Sequence, residues 1–216
     1  MMSNSTAKRD ISISKSLSYL LRHGAEKENL SIDESGYVKI SQLLNHQRLK
    51  SFKTTFDDIS RIVKINDKQR FQIKDDLICA TQGHSMKNIN NENLQLLTKE
   101  ELINLHVYHG TTTSKLSIIK SSGGLSRMNR NHIHLTCKEY CTVSGIKKQS
   151  NVLIFIDINK CLNQGIKFYK SLNNVILTEG DEQGYIKWDN IEKIIQLNNT
   201  HNKDNLQGIE LNKDEI

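Results

Sequence analysis

The chain has 216 residues, 36% of them hydrophobic and 25% charged, a formal net charge of +6 and no proline. That length suits one large domain or two small ones, and no apolar run approaches the roughly 18 residues of a membrane-spanning helix. The mild basic excess, with a sequence pI near 9.0, favours an anionic partner, of which nucleic acid is the common one.

Residues 1–10 are polar, lack the apolar stretch of a secretory signal and are expected to be flexible. A helix is predicted from Ser14. It has Leu17, Leu20 and Leu21 on an apolar stripe, Lys15, Tyr19 and Arg22 on the opposite face, and Gly24 to end it. Asp33 to Gly36 reads as a turn, Tyr37 to Ile40 as a short strand, and Ser41 as the cap of a helix carrying Leu43 and Leu44. Another helix starts at Thr54 or Thr55, with Phe56, Ile59, Ile62 and Val63 facing inward. Arg70–Ile73 and Leu77–Ala80 read as two strands joined by Lys74-Asp-Asp76. Helices followed by a hairpin resemble a winged helix.

Residues 88–104, Asn-rich and then weakly helical, form the expected linker. Beyond it, strands are predicted at Leu105–His109, His132–Thr136, Val152–Ile156, Val175–Thr178 and Ile191–Leu197, with a helix from Thr112 to Ser121 that Gly123 and Gly124 break. Many short strands with few helices describe a sheet-rich domain. The polar segment 198–216 is expected to be disordered.

Two histidines two apart in a strand-like run, His132 and His134, point both imidazoles to one face, with Arg130 just outside. Such a trio suits a ligand carrying phosphates and hydroxyls, although a surface strand with chance histidines has the same pattern. His109-Gly110-Thr111 ends a strand and opens a helix, where glycine lets backbone N–H groups face a ligand and Thr111 or Thr112 can cap. Lys15 and Arg22 lie two helical turns apart. Two cations on one stripe repel unless an anion sits between them, and a guanidinium fork grips phosphate; the alternative is a solvated charge. Gln82-Gly-His84-Ser85 offers three donors around a glycine, as an ordinary polar turn also does. The cysteines are Cys79, Cys137, Cys141 and Cys161, with no Cys-x-x-Cys pair. Cys137 and Cys141 stand near His132 and His134, but nothing completes a tetrahedral zinc set. Free intracellular thiols and no metal are therefore expected.

Seven blocks occur in order: Ser14–His23, Asp33–Val38, Asp67–Phe71, Gln82–Ser85, His109–Thr111, Met128–Leu135 and Phe168–Thr178. Over roughly residues 12–195 the chain resembles the NAD-dependent RNA 2′-phosphotransferase family, enzymes that remove the splice-junction 2′-phosphate from tRNA. The resemblance implies an α+β fold. An N-terminal winged-helix lobe would cover 11–87, an ADP-ribosyltransferase-like β-rich lobe 105–197, and the active site would lie in the cleft between them. It implies a two-step reaction. The RNA 2′-phosphate attacks the nicotinamide-bearing carbon of NAD⁺, and a ribose hydroxyl then attacks phosphorus, giving 2′-OH RNA and ADP-ribose 1″,2″-cyclic phosphate.

By the same resemblance Arg22, His23 and Arg130 handle the phosphate catalytically. His109, Gly110, Thr111, His132 and His134 line the NAD⁺ site with Ser171 and Asn173 nearby. From the residue pattern alone, Lys15, Gln82, His84 and Ser85 are expected to bind RNA phosphate. The implied partners are NAD⁺ as co-substrate and 2′-phosphorylated RNA, with tRNA the family substrate. No metal and no membrane are expected, and the chain is expected to be a monomer of the cytoplasm or nucleus. One departure stands out. Where the family carries Ile-Arg-Ala, this chain reads Ile78-Cys79-Ala80. A thiol cannot replace the charged fork assigned to the second step, so that step is expected to be slow unless Lys74 or Arg70, some residues away along the hairpin, supplies the cation. Cys79 also keeps two alternatives open: a non-catalytic RNA-binding homologue, and an ADP-ribosyltransferase acting on phosphorylated nucleic-acid ends. A smaller departure is Asn174, where the family tends to have glycine; asparagine tolerates a left-handed turn.

Overall fold

A computed structural model describes residues 4–137, 139–140, 149–198 and 207–216. Cys141 lies outside the described residues. The chain divides into two units, Met1–Asn93 and Leu94–Ile216. Helices and strands both contribute, so the fold is α+β.

The first unit opens with α1 (Asn4–Tyr19), which starts well before Ser14 and includes most of the segment expected to be flexible. A helix distant in sequence, α4 (Phe56–Ile65), holds it there. Arg9 makes a bidentate pair with Asp58 at 2.9 and 2.6 Å, and Arg61 bonds both Asp10 at 2.7 Å and Asp58 at 2.9 Å. After Tyr19 the helix widens into a π-turn, Leu20–Gly24. Between these elements come β1 (Tyr37–Lys39), α2 (Ile40–Asn45) and α3 (Gln47–Lys50); β2 (Phe71–Lys74) and β3 (Leu77–Ala80) follow α4. Lys39, not Ser41, occupies the N-cap of α2. The buried Ile40 already begins the helix, and its N–H bonds Asp76 across the sheet. Thr55 caps α4 as expected, in a reciprocal box with Asp58.

The antiparallel sheet runs β1-β3-β2. Val38, Phe71, Ile78 and Ala80 face a core shared with Leu17, Leu20, Leu21, Leu43 and Ile59. Because side chains alternate along a strand, Tyr37, Gln72 and Cys79 fall on the other face, in one row of the ladder.

The second unit contains β4 (Gln95–Leu96), α5 (Lys99–Leu102), β5 (Val107–Thr111), α6 (Thr113–Ser121), β6 (Gly124–Ser126), β7 (Ile133–Cys137), β8 (Val152–Ile156), α7 (Ile158–Asn163), β9 (Tyr169–Lys170), β10 (Ile176–Thr178), β11 (Tyr185–Lys187), β12 (Ile191–Leu197) and β13 (Gly208–Leu211). Its main sheet is ordered β13-β12-β8-β5-β7-β10-β9-β4, and β6 pairs with β11 separately. Every residue of β8 is buried, which accounts for its uninterrupted apolar run. Two expectations fail. The segment expected to be a linker carries β4 and α5, the latter capped by a Thr98–Glu101 box. The tail expected to be disordered contains β13, which pairs with β12 and is followed by Lys213, whose ammonium bonds the Ile191 carbonyl at 3.0 Å.

The main sheet forks. β7 pairs with β5 only at Val107↔Cys137 and Tyr108↔Thr136, then continues against β10. β5 runs on to Thr111 beside β8.

Candidate active site

Each unit gathers some of the residues singled out above. In the first, Arg22 and His23 lie on the π-turn, a helical form that recurs at functional positions. The loop after β3 wraps round them. Ser85 Oγ stands 2.9 Å from His23 Nδ1, and the Ser85 N–H donates to the Arg22 carbonyl at 3.0 Å. The guanidinium of Arg22 lies over Gly83, where an added Cβ would sit 3.5 Å from Nε and 3.6 Å from Cζ; Gly83 also holds a φ of +90°. His84 packs on Gly36, its Nε2 3.1 Å from where a Cβ would be. Gln82 is half-buried. Lys15 is exposed on α1 while Arg22 is half-buried, so the two cations differ in environment despite their helical spacing.

β3 packs against the π-turn through Ile78 and Ala80, and Cys79 falls on the other face of the sheet. Cys79 is fully buried between Tyr37 and Gln72. Burial pushes its thiol up to about 11, outweighing a hydrogen bond from Tyr37. The side chain is therefore neutral at pH 7. Arg70, on the same sheet face, is tied to Asn66 Oδ1 at 3.4 Å.

In the second unit the fork between β5 and β7 is bridged by His109, whose Nδ1 lies 3.0 Å from the carbonyl oxygen of His134. Gly110 and Thr111 are buried in the β5–β8 ladder. Thr112 takes the N-cap of α6, but its hydroxyl bonds Ser114, and Asn151 Oδ1 accepts from the Thr113 N–H at 3.0 Å instead.

Ile133 and Leu135 enter the core, so His134 faces the other way, in a row with Leu177 and Tyr169. His132 precedes the strand and is 8% exposed. Its ring meets Tyr169 edge-on at 6.1 Å, and its Nε2, buried without a hydrogen bond, stands 4.0 Å from a Glu179 carboxylate oxygen. Burial, helped by Arg127 and opposed by Glu179, pulls the His132 pKa below its ordinary value. Beside Tyr169 and Glu179 opens a cavity of about 670 Å³, also lined by Arg127, Lys167 and Lys187, a size common among small-molecule sites. Arg130 is exposed in the turn before β7, its N–H bonded to the Arg127 carbonyl. Ser171 and Asn173 are buried in the tight turn between β9 and β10, where the Ser171 hydroxyl accepts from the Val175 N–H and stands 2.8 Å from Asn173 Oδ1.

Sequence reasoning assigned no role to Tyr169, Glu179, Asn151, Tyr37 or Gln72. Tyr37 and Tyr169 sat within recognised blocks; the others enter through strand register or loop packing, which leave no local signal. Among the described residues no cluster of three or more His, Cys, Asp or Glu is placed to hold a metal.

The model of the RNA 2′-phosphotransferase, Tpt1 / KptA family matches residues 8–180. The chain belongs to this family. It is 44% identical over 210 residues to the tRNA 2′-phosphotransferase of Saccharomyces cerevisiae, covering 92% of this chain and 89% of the yeast protein. It is 40% identical over 187 residues to tRNA 2′-phosphotransferase 1 of Danio rerio, 82% of each chain. A probable RNA 2′-phosphotransferase of Flavobacterium johnsoniae shares 34% over 180 residues, 82% of this chain and 95% of the bacterial one. Every candidate residue in both units lies within the part matched by the RNA 2′-phosphotransferase family.

Proposed function

We propose that this protein removes the 2′-phosphate from spliced tRNA by transferring it to NAD⁺. The observation that carries the reading is the Arg22–His23 pair, adjacent on a π-turn and gripped by the Gly83–Ser85 loop, in a chain of the RNA 2′-phosphotransferase family. Arg22 is assigned the phosphate: a guanidinium fork matches two of its oxygens and stabilises negative charge in the transition state without a metal. His23 is assigned proton movement. In the second unit His109, Gly110, Thr111, His132 and His134 are assigned to NAD⁺, and Arg130 is assigned to phosphate handling.

In the first step a phosphate oxygen bonds to the ribose carbon as the bond to nicotinamide breaks. In the second, a ribose hydroxyl loses its proton and attacks phosphorus, and the RNA 2′-oxygen leaves and is protonated. Orienting the phosphate supplies most of the first step. The second needs charge stabilisation at phosphorus, and here Cys79 matters. Loss of one such donor costs on the order of 10²–10³ in rate, so ADP-ribosylated RNA is expected to accumulate.

Incubating the protein with NAD⁺ and RNA carrying a labelled internal 2′-phosphate tests both points. Nicotinamide release, followed more slowly by 2′-OH RNA and the cyclic phosphate, is the expected result. No nicotinamide release would sink the reading and leave a non-catalytic RNA-binding homologue. Immediate 2′-OH product would remove the role given to Cys79. Transfer to 5′- or 3′-phosphorylated ends without phosphate removal would favour the ADP-ribosyltransferase alternative, which the neutral, buried Cys79 permits.

A further inference from the structure

We propose that Tyr19, Glu28 and Arg48 brace the π-turn and so set the direction of Arg22 and His23, making them positioning residues for the reaction proposed above, on which this inference rests.

The brace is a closed circuit. Tyr19, the last residue of α1, folds its ring back on Gly24, the last residue of the π-turn. A Cβ at Gly24 would lie 2.5 Å from Tyr19 Cε1 and 2.9 Å from Cζ. Gly24 is absent from the residues with positive φ, so it is there for space and not for an unusual backbone. The Arg48 guanidinium stacks on the Tyr19 ring, 4.4 Å from its centre. Glu28 Oε1 holds Arg48 through two bonds, from Nε at 3.1 Å and Nη2 at 3.0 Å. The Glu28 backbone N–H in turn donates to the Gly24 carbonyl at 2.9 Å, which closes the circuit. His46 supports it from outside. Its Nδ1 accepts the Arg48 N–H at 3.2 Å, so its Nε2 carries the proton donated to Glu28 Oε2 at 3.1 Å. The Arg48 bonds, aided by His46, hold the Glu28 carboxyl below the usual carboxylate range.

Arg22 and His23 lie between the two chain positions that this circuit clamps. A π-turn places one more residue per turn than an α-helix and is less favourable, so it persists only where its surroundings hold it. If it relaxed to α geometry, later residues would rotate by about 100° about the helix axis. His23 would then leave Ser85, and Arg22 would leave Gly83. A cation over an aromatic ring is a directional restraint that an ammonium on a flexible stem does not reproduce.

The test compares full-length Tyr19→Phe, Gly24→Ala, Arg48→Lys and Arg48→Ala with the unaltered chain. It records kcat and KM for NAD⁺, melting temperature, and the NMR signal of the His23 ring. Tyr19→Phe keeps the ring and is expected to behave as the parent. Gly24→Ala and Arg48→Ala are expected to shift the His23 signal and to lower kcat on the order of 10- to 100-fold, with KM for NAD⁺ little changed. Arg48→Lys should fall between, and it supplies the same readouts if Arg48→Ala does not fold. An unmoved His23 signal in both Gly24→Ala and an Arg48 variant overturns the proposal, whatever the rates. If the parent itself releases no nicotinamide, the assigned reaction fails, and the His23 signal alone decides whether the brace exists.

Discussion

His109 Nδ1 lies 3.0 Å from the carbonyl oxygen of His134, and this one side-chain bond spans the gap where β5 and β7 part. A carbonyl only accepts, so Nδ1 carries the proton and fixes the tautomer of His109. His109→Ala should remove the bridge and raise KM for NAD⁺ roughly five- to tenfold, the size of one net hydrogen bond, with kcat less affected. An asparagine at 109, which can donate to the same carbonyl, should recover part of the loss. Steady-state kinetics of the three proteins checks this.

Ser85 touches the first candidate region twice, through its hydroxyl on His23 and its N–H on the Arg22 carbonyl. Only the first contact depends on the side chain. Ser85→Ala should therefore lower kcat about three- to tenfold while melting close to the parent, since one hydrogen bond is worth about 1 kcal/mol. A melting temperature that falls along with activity would show that the hydroxyl serves the loop's fold instead.

Local chemistry was legible; distant pairing was not. Thr55 as a helix cap, the all-apolar β8 and the tolerance of Asn174 for a left-handed turn, observed at φ +60°, each depend on a few neighbouring residues. The early start of α1 depends on Asp58 and Arg61, remote in sequence from Arg9 and Asp10, so the visible apolar stripe placed the helix at Ser14. The π-turn is hidden for another reason: a 3.6-residue period assumes uniform winding, and one extra residue in the turn rotates Arg22 off the stripe of Lys15. β13 reads as polar tail because its order comes from pairing with β12. The row Tyr37–Cys79–Gln72 exists only once the register of three strands is known.

His132 predicts a specific pH dependence. Burial lowers its pKa from the ordinary 6.5, so the unfolded chain takes up this proton before the folded one does. The contribution of neutral His132 is thus fully present above pH 6.5 and is lost as pH falls from there toward the depressed folded pKa. His132→Phe, which keeps a ring against Tyr169, should flatten the fall in unfolding free energy over that window. Glu179→Gln removes the charge that opposes the shift and should depress the His132 pKa further. Urea unfolding at successive pH values, with NMR titration of His132, measures both.

Asp58 joins three elements of one network: Arg9 on α1, Arg61 on its own helix, and the Thr55 cap. The Arg9 bond is the largest of the effects that hold its carboxyl far below the usual range. Its stabilisation is therefore present above the unfolded pKa near 3.8 and is lost as pH falls through the folded value. Asp58→Asn should cost about 2–4 kcal/mol at pH 7, combining a broken, largely buried ion pair with a weakened cap. The cost should shrink in acid. Chemical denaturation at pH 7 and pH 3 tests the sign, and equal costs at both would refute it.

Cys79→Arg would introduce the charge that the resemblance implies at this position. The substitution is not benign for the fold, because Cys79 is fully buried and a longer side chain must displace Tyr37 or reach past it. Gln72 Oε1, on the same row, is buried without a hydrogen-bond partner and offers an acceptor for the guanidinium. The melting temperature should therefore fall. The decay of ADP-ribosylated RNA should nevertheless speed up on the order of 10²-fold, the worth of one preorganised donor at a developing charge. Cys79→Ser, similar in size and also uncharged, should leave that decay unchanged. Single-turnover chase of the labelled intermediate separates the two, and equal decay in the arginine and serine variants would mean that another cation already serves the second step.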